Sequence, residues 1–179
     1  EKLAGIDRLY RKVIENLNHS ASWFAALFVL RAHSSYLAAA RMALSGQVPE
    51  TYLLLRGCLE NAIYGFYIDR HPELRETWLR RHDDAEAMKL VRKEFQIGPI
   101  LSSVEAAHSK TGAIARTLYD RTIDYGAHPN ERALSQVLGM NRGEGEVCFE
   151  VRYLMKGKDV AFGLALKTCA QVGVCGLDL

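Results

Sequence analysis

The chain has 179 residues, of which 49% are hydrophobic and 25% charged, and a formal net charge of +2. That length suits one domain over 1–179, with enough core to need no disulfide or metal staple. The composition excludes a disordered or low-complexity chain, and the mixed charges, with no run of five or six of one sign, exclude a basic or acidic tail.

Leu3, Ile6, Tyr10, Val13, Ile14 and Leu17 recur mostly at spacings of three and four and predict an amphipathic helix. Asn18, His19 and Ser20 offer a break, and Ser20 or Ser22 a cap for a second helix from about Ser22 to Leu44. That helix is apolar most of the way round, which predicts a central place, and Ser45-Gly46 stops it. Pro49 opens a third helix through Leu53, Leu59, Ile63, Phe66 and Ile68 to His71-Pro72. A fourth and far more polar helix is expected from Pro72 to about Phe95. Gly98-Pro99 reads as a loop and Leu101 to Ser109 as a fifth helix; Gly112 reads as its break, and a sixth helix follows to about Tyr125. Gly126 to Asn130 reads as a turn.

Asn141-Arg142-Gly143-Glu144-Gly145 is a turn signal between the flanks Leu134 to Met140 and Glu146 to Leu154. In the second flank Val147, Phe149, Val151 and Tyr153 alternate with Cys148, Glu150, Arg152 and Leu154, the period of a strand. A β-hairpin is expected over about 134–154, then a closing helix from Asp159, near its N-cap, to Gly176. The fold class is therefore mainly α: a helical bundle of about six or seven helices with a small β-hairpin near the C-terminal third.

No stretch reads as long and apolar enough to span a bilayer; the nearest, Ala21 to Leu44, holds Arg31, His33 and Arg41. No leader is read, so no membrane association is expected and the default location is cytoplasmic. Cys58, Cys148, Cys169 and Cys175 form no Cys-x-x-Cys pair and read as small buried thiols. No cofactor is expected. No metal is expected either: Glu105-Ala-Ala-His108 lacks the second copy a di-iron bundle needs, and His82, Asp83 and Glu86 lie on the most polar helix.

Two constellations carry chemistry. Arg56 and Glu60 are four residues apart in an otherwise apolar helix, so they share a face and can pair, with Asn61 and Tyr64 extending the polar edge. Asp120, Arg121, Asp124, Tyr125, His128 and Asn130 crowd into one helix end and turn. An apolar helix needs help to hold a charge, so Arg56 and Glu60 are expected within one side-chain layer of Asp124, Tyr125 and His128. Such a pocket can be a structural register device or a ligand site. The ligand-binding set is then Arg56, Glu60, Tyr64, Asp124, Tyr125 and Asn130.

Arg121 and His128, separated by six residues at a helix end of a mainly helical chain, resemble the Arg-x(4–6)-His signature of the HEPN superfamily. The Arg-x-x-x-Glu helix followed by a Tyr/Asp/His helix end also resembles uncharacterised bacterial proteins near that group. The resemblance covers roughly Pro49 to Asn130. It implies a small helical bundle, often dimeric, that binds RNA or a nucleotide, with many members metal-independent ribonucleases. In that case Arg121 neutralises phosphate and His128 moves a proton at a ribose 2′-OH. The alternative is a non-catalytic module binding a ligand, nucleotide or protein partner, which the absence of a basic stripe favours. The apolar third and final helices add the expectation of a homodimer.

Overall fold

The structure is a computed structural model and describes residues 1–17, 23–143 and 145–179. The expected break at Asn18, His19 and Ser20 and the caps Ser20 and Ser22 lie outside the described residues. In chain order the elements are α1 (Lys2–Asn16), α2 (Trp23–Ser45), α3 (Val48–Arg70), α4 (Leu74–Leu79), α5 (Ala85–Glu94), α6 (Ile97–Ala107) and α7 (Ser109–Thr122). A π-helical turn (Ile123–Ala127), α8 (Glu131–Ser135), β1 (Leu138–Arg142), β2 (Val147–Val151) and α9 (Val160–Asp178) complete it. The molecule is mainly α with one antiparallel hairpin, as the periodicities indicate.

Helix α3 is the hub, packed against α2, α9, α6, α7 and the π-helical turn. Its Tyr52, Leu55, Cys58, Leu59, Ile63 and Ile68 are buried on more than one side. Gly46 turns the chain from α2 into α3 at φ +83°, a left-handed conformation that suits glycine. The same turn receives the segment after the hairpin: Met155 N–H donates to Gly46 O at 2.9 Å, and the Met155 side chain is buried.

Three boundaries differ from the sequence reading. The expected fourth helix is two, α4 and α5, because Asp84 caps the second by accepting from Ala87 N–H at 2.8 Å. The turn between them brings Trp78 onto an aromatic cluster, with ring centres 4.9 Å from Phe95, 5.6 Å from Tyr64 and 5.7 Å from Phe28. Gly98-Pro99 lies inside the first turn of α6, where a missing N–H is tolerated. Gly112 lies inside α7, and the break falls at His108. Helices α6 and α7 fold back so closely there that a Cβ on Gly112 would sit 2.5 Å from Glu105 Cα. The split of the fourth helix, with the added short α8, raises the count to nine α-helices among the described residues, against the six or seven expected.

Two further expectations are corrected. Helix α9 is long and apolar enough by length and composition to cross a membrane, with mean hydropathy 1.5. In this fold it packs against α3, α2, α1 and α7, with Ala165, Thr168, Cys169, Val172 and Cys175 buried. Of the four cysteines, Cys58, Cys169 and Cys175 are buried and their thiols pushed up to about 12 by burial, whereas Cys148 is exposed on the hairpin.

Helix α1 is held on α2 by a compact set. His33 Nε2 donates to Asp7 Oδ1 at 2.7 Å, and the His33 ring stacks on Tyr10 with centres 5.1 Å apart. Tyr36 OH donates to Leu3 O at 2.9 Å.

Substituting Gly112→Ala separates two effects of opposite sign. Helix propensity alone favours alanine by about 1 kcal/mol, while overpacking against the α6 backbone costs about 1–3 kcal/mol. We expect net destabilisation in urea unfolding; a stabilised variant would show that the close approach is relieved freely.

The hydrogen bond from His33, opposed by burial and aided by Arg11, holds the Asp7 carboxyl below its ordinary value near 3.8. A carboxyl with a lowered folded pKa stabilises fully above the unfolded value, and that contribution is lost as pH falls through the folded one. Asp7→Asn is therefore expected to lower stability at neutral pH and to flatten its fall in acid. Equal acid sensitivity in both chains would refute the assignment.

Candidate functional site

Spacing of four along α3 stacks Arg56, Glu60 and Tyr64 on one edge of the hub helix. Arg56 Nε donates to Glu60 Oε1 at 2.9 Å, and both side chains are about two-thirds buried, at 28% and 31% exposure. Their shared partner comes from α7. Arg56 Nη2 donates to Tyr119 OH at 2.9 Å, and Tyr119 OH donates to Glu60 Oε1 at 3.2 Å. The guanidinium also lies 5.2 Å from the centre of the Tyr119 ring. Burial first, then the Glu60 carboxylate, raise the Tyr119 hydroxyl above its ordinary range, so it stays a donor. Among the described residues, Arg56 Nη1 and Glu60 Oε2 make no hydrogen bond. One donor and one acceptor of this partly exposed pair are thus left unused.

Tyr64 and Asn61 serve other contacts. Tyr64 OH donates to Phe95 O at 3.0 Å, binding the end of α5 to α3, and burial pushes its hydroxyl up to about 12. Asn61 Nδ2 donates to Gly57 O at 2.7 Å, and the residue lines a groove of about 260 Å³ with Ala25, Val29, Gly65 and Asp69.

The second constellation forms its own network. Helix α7 runs into a π-helical turn whose Gly126 leaves helical geometry, at φ 163° and ψ −21°. Asn130 organises the exit: its Nδ2 donates to Ile123 O at 2.7 Å, and its Oδ1 caps α8 by accepting from Ala133 N–H at 2.8 Å. Asp124 pairs with Arg132 at 2.8 Å, and Tyr125 stacks on Tyr52 of α3 with ring centres 5.4 Å apart. Arg121 turns towards α9, its Nη1 donating to Gln171 Oε1 at 2.7 Å and Thr168 Oγ1 at 3.4 Å. His128 follows on extended backbone and is exposed.

The partners of Arg56 and Glu60 are therefore each other and Tyr119. Asp124 is committed to Arg132, and Asn130 to the α8 cap. The two networks are neighbours along α3 through the Tyr52–Tyr125 stack, one turn before Arg56, without sharing a hydrogen bond among the described residues. Tyr52 itself carries a buried hydroxyl with no hydrogen-bond partner in the described structure, near Thr168 and Arg121.

Tyr119 is the residue that sequence reading passed over. Its signal was present: Ala115, Leu118, Tyr119 and Thr122 recur at three and four and form the buried stripe of α7. A buried tyrosine hydroxyl needs a partner, and α3 offers Arg56 and Glu60.

Glu105 does not act with His108. It makes a two-point pair with Arg116, at 2.7 and 2.8 Å, while His108 packs edge-on against Phe66. Among the described residues no group of three or more His, Cys, Asp and Glu side chains comes together to hold a metal ion. Comparison with protein-family models, curated proteins and solved structures gives no significant match to this chain.

The Arg56–Glu60–Tyr119 triangle predicts coupled energetics. Tyr119→Phe removes two hydrogen bonds and should cost about 1–2 kcal/mol in urea unfolding. Glu60→Gln should cost less once Tyr119 is already Phe, with a coupling of about 0.5 kcal/mol or more. Strict additivity in the double-mutant cycle would mean the triangle is not a unit.

Proposed function

We propose that this protein is a HEPN-like helical binding module that grips its ligand at the Arg56–Glu60–Tyr119 surface, with a nucleotide as the ligand class. One observation carries the binding reading: the partly exposed Arg56–Glu60 pair is held in place by the buried Tyr119 yet, among the described residues, keeps one donor, Arg56 Nη1, and one acceptor, Glu60 Oε2, unused. A free guanidinium N–H suits a phosphate oxygen or a nucleobase acceptor, and a free carboxylate oxygen suits a hydroxyl or an amino group. Preorganisation by Tyr119 lowers the ordering cost of binding. The nucleotide class rests on the resemblance of Arg121 and His128 to the HEPN signature.

The second reading is a metal-independent ribonuclease using Arg121 and His128. It is favoured by the π-helical turn, a feature frequent near functional sites, which delivers His128 to an exposed position seven residues beyond Arg121. Against it, the Arg121 guanidinium is engaged by Gln171 and Thr168 on α9. A phosphate-neutralising arginine needs that guanidinium at the scissile group.

The test sets mononucleotides and a short labelled RNA against wild type, Arg56→Gln and His128→Ala, all checked by thermal melting. We expect calorimetric binding that weakens about tenfold or more, or about 1.4 kcal/mol, in Arg56→Gln. His128→Ala should bind as wild type does. RNA should stay intact in chelator. Absence of binding by the wild type would overturn the module reading. Cleavage abolished by His128→Ala would establish the nuclease instead.

A further inference from the structure

We infer that the β1–β2 hairpin is a self-association surface that pairs face to face with the hairpin of a second copy of this chain. The inference is independent of what the Arg56 surface binds.

The register sets Leu138 opposite Val151, Met140 opposite Phe149 and Arg142 opposite Val147. Side chains alternate across a pleated strand, so these six share one face, while Gly139, Asn141, Cys148 and Glu150 take the other. Five of the six are large and apolar, and all five are exposed: Leu138 41%, Met140 55%, Val147 52%, Phe149 66% and Val151 46%. Beyond the strand pairing itself, the hairpin packs chiefly on the short helix α8. Its foot is fixed, since Arg152 N–H donates to Val137 O at 2.8 Å and the next turn of chain is clipped at Met155.

A two-stranded hairpin is marginal by itself in water, and stability comes when its apolar face is covered. An exposed patch of this kind marks an interaction surface. The area fits a second copy. The five side chains expose roughly 450 Å² of apolar surface per copy; with Tyr153, next in the same alternation, two copies bury at most about 1,200 Å², at the lower end of the range of stable interfaces. The face is also self-complementary in kind, because its single charge, Arg142, lies at the tip. A two-fold axis through the Met140–Phe149 pair brings apolar residues onto apolar residues of the same length and twist. This places the interface on the hairpin and away from the third and final helices, where sequence reading put it.

Sedimentation velocity on the full chain from about 1 to 100 µM tests it. The expected result is a species of twice the chain mass for wild type. Phe149→Glu and Met140→Glu should each weaken the dimer by tenfold or more, while Asn141→Glu, on the opposite face, leaves it intact. Helical circular dichroism should be equal in all four proteins, since the hairpin lies outside the helical core. Hydrogen exchange of the 147–151 amides should be slow in wild type and fast in Phe149→Glu. A wild-type monomer across the whole range overturns the inference and leaves the face to a different partner. A dimer that persists in Phe149→Glu overturns it by placing the interface elsewhere.

Discussion

The burial of α3 on several sides forces the rest of the arrangement. A helix enclosed by α2, α6, α7 and α9 has little water available for a charge, yet it carries Arg56 and Glu60 near its middle. Pairing alone does not settle a charged couple taken out of water; the remaining lone pairs and protons need partners as well. Tyr119 supplies one group that accepts from the arginine and donates to the glutamate. That requirement fixes the rotation of α7 about its axis and its register against α3. Helix α6 follows, because the Glu105–Arg116 pair and the Gly112 approach tie it to α7. The π-helical turn follows too, since it begins where α7 ends and lays Tyr125 on Tyr52.

Much of this was legible in the sequence, and the misses have physical causes. Helix termini with strong backbone chemistry read correctly: Gly46 needs a left-handed turn, Pro49 suits a first turn, and His71 precedes a proline. The hairpin read correctly because strand alternation of Val147, Phe149 and Val151 is a period-two signal that helices do not imitate. Boundaries failed where a tertiary contact overrode a local rule. Gly112 looks like a break because glycine disfavours helix. Here it permits two helices to touch, which only their packing reveals. Conversely Asp84, set in a run of charged residues, is a cap whose effect on α5 is local but easily lost among neighbouring charges.

The polar residues were harder than the core. Arg56 and Glu60 stood out because they interrupt an apolar run, and contrast of that sort survives without coordinates. Their third partner lies 59 residues from Glu60 in sequence, and no spacing rule reaches that far. Asp124, Tyr125 and His128 were expected beside Arg56 and Glu60 because an apolar helix needs polar partners to hold its charges, and Asn130 was counted in the same ligand-binding set. In space Asp124 answers a nearer need in an ion pair to Arg132, Tyr125 in a stack on Tyr52 and Asn130 in a cap for α8, while His128 is exposed.

Helix α9 lies after every element it packs against. Helices α1, α2, α3 and α7 are made first, and their faces meant for Ala165, Cys169 and Val172 wait for it. At ordinary rates of synthesis the interval between completing α3 and completing α9 is on the order of ten seconds. Over that time the nascent chain exposes the apolar groove that α9 later fills, and any apolar helix nearby competes for it. Chaperone engagement during translation should therefore peak before residue 160 leaves the ribosome and end when α9 docks.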